Sequence, residues 1–158
     1  MANLQTTKTP MPEQEANVRN GNFLEVALGY TLEQAQNEAQ RCLSCKHKPC
    51  VSGCPVGIPI PEFVGKVAEG DLAGAYQLLS NANALPAISG RVCPQESQCE
   101  GKCVRCNKGD SVGIGRVERF VADWAAENGV SNVATAPKNG HKVAVIGSGP
   151  AGLTCAGE

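Results

Sequence analysis

The stretch Cys42-Leu-Ser-Cys45-Lys-His-Lys-Pro-Cys50-Val-Ser-Gly-Cys54-Pro55 puts four thiols into thirteen residues and follows the last of them with proline. A Cys-x2-Cys pair lets two thiolates converge from a single turn of chain. A Cys-x3-Cys-Pro ending is the spacing in which the final thiol serves a different iron–sulfur cluster from its neighbours. A second group follows at Cys93, Cys99, Cys103 and Cys106, so eight of the nine cysteines fall in two tight sets and only Cys155 stands apart. Such spacing is too close for the core of a helix or strand and suits the grip of an inorganic centre. Electron transfer is the first expectation.

The bulk properties narrow the choice. A chain of 158 residues is sized for one domain and a fragment of a second. Residues 1–22 are polar and carry no apolar leader pattern, and no apolar run approaches the roughly 20 residues that span a bilayer. The expectation is a cytoplasmic protein with no membrane contact. Net charge is −1 with dispersed basic residues, so no nucleic-acid partner is expected. Aromatic residues make up only 4% of the chain, which leaves few large side chains to build a core. Small domains of that kind use disulfides or metals as staples. An odd cysteine count without an export signal argues against disulfides and for metal.

Zinc and iron–sulfur remain to be separated. Four-cysteine zinc sites usually pair two Cys-x2–4-Cys knuckles across a spacer. Here one Pro-rich loop supplies four thiols by itself, which favours iron–sulfur. Four neighbouring thiols without any metal would be a reactive liability. His47 lies between Cys45 and Cys50, but Lys46 and Lys48 flank it and it reads as a solvated loop residue rather than a ligand. That basic trio could orient an acidic electron partner.

Along the chain, residues 1–22 read as an extended or disordered lead-in. Residues 23–129 read as a helical domain, 130–141 as a linker rich in Asn, Ser, Thr, Pro and Gly, and 142–158 as the first strand, Gly-rich turn and helix start of a truncated Rossmann-like α/β domain. Thr31 can cap a helix through about Cys42, with Glu33 and Gln34 in its first turn. Pro61 suits the first turn of a short helix through Glu69 that Gly70 ends, and Asp71 can cap the next. Asn81 to Pro94 reads as a loop. One helical turn from Cys99 to Cys103 would put those two sulfurs on the same face. The clearest helix runs from Ile114 to Asn128 before Gly129, with the stripe Ile114, Val117, Val121, Trp124, Ala125.

Glu118 falls inside that stripe. A lone buried carboxylate is costly unless it is paired or bound to metal. By pattern alone the commoner arrangement is a rim residue, or a pair with Arg91, Arg116 or Arg119. Eight clustered thiols would already satisfy two [4Fe–4S] clusters, so Glu118 and Cys106 compete for the eighth ligand position.

Taken together, Arg41-Cys-Leu-Ser-Cys45, Cys50-x3-Cys54-Pro-Val-Gly, Ile60-Pro-Glu-Phe-Val, Gly90-Arg-Val-Cys-Pro94, Cys99-Glu-Gly-Lys-Cys103 and Ile114-Gly-Arg-Val-Glu-Arg-Phe120 resemble one known domain. It is the N-terminal iron–sulfur domain of glutamate synthase small subunits, shared with dihydropyrimidine dehydrogenase and the large subunit of NADH-dependent ferredoxin:NADP oxidoreductases. The likeness runs from about Asn22 to Gly152. It implies a mainly α fold wrapped around two [4Fe–4S] clusters. It also implies one ligand set of Cys42, Cys45, Cys50 and Cys103, and another of Cys54, Cys93, Cys99 and Glu118. Cys106 is then left over as a loop thiol, and Cys155 reads as a packing residue.

The last recognisable feature is Gly147-Ser-Gly149-Pro150-Ala151-Gly152, directly after Val143-Ala-Val-Ile146. A buried parallel strand followed by Gly-x-Gly-x-x-Gly is the dinucleotide fingerprint: the first glycine turns the chain, the second admits a pyrophosphate, and the third packs helix on strand. The resemblance implies FAD there. The acidic residue expected about 20 residues further on would fall beyond Glu158, so the expectation is an N-terminal piece of a longer flavoprotein. The reading is thus an electron relay. NAD(P)H and FAD sit in missing C-terminal domains, and a glutamate synthase large subunit or a ferredoxin-reducing subunit is the partner. No residue looks like a proton-transfer catalyst. A zinc-stapled interaction module and an iron–sulfur redox sensor are the alternatives.

Overall fold

The computed structural model describes residues 3–131 and 137–157. Its elements are α1 (Ala16–Arg19), α2 (Leu32–Ala39), α3 (Pro49–Ser52), α4 (Ile60–Glu69), α5 (Leu72–Ser80), α6 (Pro86–Val92), α7 (Ile114–Glu127) and α8 (Pro150–Gly157). Three single 3₁₀ turns, Gln95–Ser97, Glu100–Lys102 and Val104–Asn107, fill the loop between α6 and α7. Among the described residues there is no strand, so the fold is mainly α, as the sequence implied.

Local chemistry accounts for most element ends. Thr31 and Gln34 form a reciprocal capping box at the start of α2. The predicted run to Cys42 stops early: α2 ends at Ala39, and Arg41 and Cys42 donate to Glu38 and Ala39 carbonyls in a tighter turn. Pro61 sits in the first turn of α4, where its missing N–H costs nothing, and Gly70 closes that helix at φ +84. The Asp71 carboxylate accepts from Gly74 N at 2.9 Å and caps α5.

Helix α7 is the hub, packing against α2, α4, α5 and α6. Its stripe is as predicted, with Ile114, Val117, Val121 and Ala125 buried and Trp124 packed at the margin. Phe63, Val64 and Val67 of α4 and Ala75 and Leu79 of α5 complete the core. Complete burial of each such side chain contributes about 1.5–3 kcal/mol, less for alanine.

Of the residues that the sequence left as a lead-in, Ala16–Arg19 form the short helix α1, and the stretch before it is tied down. Asn3 N donates to Gln40 O at 2.9 Å, Thr9 N to Glu38 Oε2 at 2.6 Å, and Asp110 N to Thr6 O at 2.7 Å. A buried polar knot explains the attachment. Arg41 and Glu38 are both 0% exposed and pair at 2.5 Å. The Arg41 guanidinium also donates to the carbonyls of Gln5, Thr6, Asp110 and Ser111.

Four further expectations need correction. The predicted loop Asn81–Pro94 contains helix α6, with Pro86 at its first turn. The turn after Cys99 is 3₁₀, not α, so Cys99 and Cys103 face different ways. Lys142–Ile146 forms no strand: Val143 and Ile146 are 86% and 98% exposed, because a strand needs a partner ladder and none is present among the described residues. Cys155 is exposed on α8 rather than packed. Within the predicted linker 130–141, residues 132–136 lie outside the described residues, as do residues 1–2 of the lead-in and Glu158. No helix of the described residues is long and apolar enough to cross a membrane.

Candidate metal centres

Seven of the nine cysteines line two separate hollows. The first is walled by Cys42, Cys45, Cys50 and Cys103, with Leu43, Pro49, Pro61, Val104, Arg105 and Val112 between them. Cys42 and Cys45 come from the loop after α2, Cys50 from α3, and Cys103 from the 3₁₀ region. Lys48 holds φ +42 just before α3, so the chain reverses sharply between Cys45 and Cys50. Its ammonium pairs with Glu62 on α4, fastening the loop to the helical frame.

The second hollow is lined by Cys54, Cys93, Cys99 and Glu118, with Asn83, Ser89, Gln98 and Ile114 among its walls. Gly53 is what lets Cys50 and Cys54 diverge toward the two hollows. A Cβ on Gly53 would stand 2.7 Å from Gln98 O, so only glycine allows α3 to lie against the Cys99 turn. Cys93 directs its S–H to Gln98 Oε1 at 3.0 Å.

Electrostatic coupling follows the same division. Burial pushes the Cys42 thiol up, and Cys103 and Cys45 add to the rise. Cys50 is raised to about 11 by burial and then by Cys42 and Cys103. Cys99 is raised to about 12 by burial, then by Glu100, with Cys54 and Glu118 contributing. Cys93 is raised by burial and by Glu118 and Cys54. Every resolved thiol–thiol influence runs within a hollow, and none runs between the two. Among the described residues no three His, Cys, Asp or Glu side chains close around one point as the ligands of a single ion do. The donors stand on the walls of a shared hollow instead.

Glu118 is 5% exposed and projects from α7 into the second hollow. None of the three arginines named as possible partners reaches it. Arg91 pairs with Glu25 and Asp123, Arg116 donates to Thr9 O and Tyr30 Oη, and Arg119 binds Ala27 O and Glu25. Burial raises the Glu118 carboxyl, while hydrogen bonds from Ser89 and Asn83 pull it back. Cys106 is exposed, lies outside both hollows, and directs its S–H toward Glu100 O at 3.4 Å. His47 is exposed on the outer loop.

The sequence missed the polar supports. Ser89, Asn83 and Gln98 touch the donors of the second hollow, yet two of them fell in a segment read as loop. Proline at a first helical turn was the signal available at Pro86, and Gly90 inside the segment masked it. Buried Glu100, which accepts from Gly115 N at 3.1 Å and pairs with Lys8, likewise had no sequence mark.

At Gly147–Gly152 the turn is formed. Gly147 holds φ +108, and a Cβ on Gly152 would stand 2.2 Å from Gly147 O, so the first and third glycines are required by the local backbone. Gly149 has open space around it, and its carbonyl accepts from Leu153 N at 2.9 Å within α8, which starts with Pro150 and Ala151.

Soft, half-buried thiols in a small helical frame are the donor set of iron–sulfur chemistry, and fold and site together define a helical iron–sulfur domain. The model of the family described as dihydropyrimidine dehydrogenase domain II, 4Fe-4S cluster, matches residues 19–130, and the chain belongs to that family. It is 39% identical over 146 residues to the glutamate synthase [NADPH] small chain of Escherichia coli strain K12, covering 92% of this chain and 31% of that one. Identity to the glutamate synthase [NADPH] small chain of Halomonas elongata is 40% over 150 residues, covering 92% and 31%. The NAD-dependent dihydropyrimidine dehydrogenase subunit PreT of Escherichia coli strain K12 is 36% identical over 144 residues, covering 90% and 33%. The chain therefore spans about a third of the length of these relatives, each of them a larger oxidoreductase chain.

Proposed function

We propose that this domain relays electrons between FAD and a partner active site through two [4Fe–4S] clusters. One cluster is held by Cys42, Cys45, Cys50 and Cys103, the other by Cys54, Cys93, Cys99 and Glu118. When bound, each cluster takes up and passes on one electron at a time. The observation that carries the reading is the sorting of eight donors into two hollows on one helical frame, four to each. The chain's own residues hold and tune: Ile114, Ile58 and Ile60 screen the second hollow from water, and a carboxylate among thiolates changes its local charge.

Domain boundaries at 23–129, 130–141 and 142–158 follow from this reading. Gly147, Gly149, Pro150, Ala151 and Gly152 would form the first phosphate turn of an FAD domain completed by residues outside this chain. The relatives' names support a nicotinamide cofactor as electron source, and reductive glutamate synthesis or pyrimidine chemistry as the destination. The partner would be a large oxidoreductase subunit, the compartment the cytoplasm. No catalytic residue is assigned in this segment.

Iron, acid-labile sulfide and zinc analysis of anaerobically purified protein tests the relay. About eight iron and eight sulfide per chain, with a broad visible band bleached by dithionite, is the expected result. Zinc without sulfide, persisting after reconstitution, would leave a structural module. Lability of the clusters coupled to a binding change would point to a sensor. Glu118→Ala is expected to halve the iron content while Cys106→Ala leaves it intact; the reverse pattern would overturn the ligand allocation.

A further inference from the structure

Glu118 sits in a closed hydrogen-bond triangle that the ligand assignment does not use. Leu85 N donates to Asn83 Oδ1 at 3.0 Å, which fixes the orientation of that amide. The two hydrogens of Asn83 Nδ2 then go to Ser89 Oγ at 2.6 Å and to Glu118 Oε1 at 3.1 Å. The single hydroxyl proton of Ser89 reaches Glu118 Oε1 at 2.6 Å, shorter than its alternatives at the Leu85 and Pro86 carbonyls. Oε1 thus receives two donors, while Oε2 accepts none among the described residues. The triangle is assembled from three elements: Asn83 follows α5, Ser89 lies on α6 and Glu118 on α7. Its register is set where α6 crosses α7, because Gly90 lies so close that a Cβ there would stand 2.7 Å from Arg119 N.

We propose that Ser89 and Asn83 are positioning residues for Glu118, saturating Oε1 so that Oε2 alone is presented to the iron of the second cluster. The inference rests on the assignment of Glu118 as a ligand. Partners that orient a ligating side chain typically change metal retention 10–100-fold when removed. Two hydrogen bonds also draw electron density from the carboxylate, which makes it a weaker donor and favours the reduced cluster. Removing them strengthens donation and moves the midpoint potential of that one cluster downward.

The test is an anaerobic redox titration followed by electron paramagnetic resonance on the whole chain, with iron release to a chelator timed in parallel. Ser89→Ala is expected to shift one of two cluster signals to lower potential, to speed chelator release of that cluster about tenfold, and to leave the other unchanged. Asn83→Ala should move the same signal in the same direction, and Ser89→Thr, which keeps the hydroxyl, should restore wild-type values. If Ser89→Ala loses the cluster outright, recovery in Ser89→Thr supports the proposal. Failure of that recovery assigns Ser89 to packing and overturns it. Unchanged potentials and release rates in Ser89→Ala and Asn83→Ala also overturn it, provided Glu118→Ala still loses the cluster. Retention of both clusters by Glu118→Ala would instead remove the ligand assignment beneath it.

Discussion

Arg41 and Glu38 lie just before the first thiol and hold the chain in a conformation that the thiols themselves do not specify. Glu38 Oε1 accepts from Arg41 and from Gly113 N at 2.8 Å, while Oε2 accepts from Thr9 N, so one buried carboxylate ties α2, the N-terminal strap and the entry to α7 together. Breaking a buried pair by removing one partner leaves an uncompensated charge and costs about 3–5 kcal/mol. Glu38→Gln is accordingly expected to lower the urea midpoint by that equivalent, with Arg41→Met doing the same. Both should also slow cluster reconstitution, since Cys42 is the next residue. Equal midpoints for wild type and Glu38→Gln would show that Arg41 finds compensation elsewhere. Exposed Lys66, paired with Asp71 at 2.9 Å, is the contrast: Lys66→Ala should change the midpoint negligibly.

Two glycines separate close approach from empty space among the helices. Gly90 on α6 would drive a Cβ into the Arg119 backbone, whereas Gly65 in the middle of α4 has nothing within 4 Å. Gly90→Ala should therefore destabilise by about 1–3 kcal/mol through overpacking. Gly65→Ala should stabilise by about 0.5–1 kcal/mol through reduced unfolded-chain entropy and better helix propensity. Thermal denaturation of the two variants in one buffer decides, and two shifts of the same sign would contradict the packing described. The tether of the N-terminal loop to α6 and α7 is electrostatic. Arg91 bridges Glu25 and Asp123, and Arg119 reaches both acids as well. The Arg91 hydrogen bond holds the Glu25 carboxyl below its usual 4.5. A depressed carboxylate contributes stability that is present above the unfolded value and lost as pH falls through the folded one. Acid titration should then release residues 22–28 below about pH 4.5, read as lost amide protection there relative to the intrinsic exchange rate. Glu25→Gln should lower the protection of those amides and flatten its change with pH across the same window, and raised salt should mimic it in part.

Across the whole molecule, two structures overlap: an apolar core centred on α7, and a set of thiol loops hung on its surface. The core residues Phe63, Val64, Leu79, Val117 and Val121 are fully buried among themselves and their helical neighbours, and the thiols meet that core through Cys99 and at its edge through Cys42, Cys50, Cys54 and Cys103, while residues 42–54 and 93–106 contain only short helices and turns. Because metal binding and local folding are coupled, stripping the centres with a chelator under anaerobic conditions should leave most of the helical circular dichroism. The same treatment should open those two loops to protease first. First cleavage within α4 or α7 would refute that division. How much of this was legible in the chain depends on the range of the cause. Thr31, Pro61, Gly70 and Asp71 act on their own turn of backbone, so the ends they set could be read directly. The Ile114–Ala125 stripe was equally visible, because helical period alone aligns it. Cysteine spacing determined that the protein carries a soft-metal centre, since four thiols within thirteen residues have few other uses. Other facts needed the folded chain. The environment of Glu118 was decided when α6, hidden by its own Gly90, crossed α7 and brought Ser89 to the carboxylate. Arg91, Arg116 and Arg119 were drawn away by partners distant in sequence, from Thr9 to Asp123. Lys142–Ile146 shows the opposite limit, where a strand pattern is present but no partner ladder is. Pattern records what a residue does to its near neighbours; which donor meets which across 29 or 35 positions, as Ser89 and Asn83 do with Glu118, is settled only by packing.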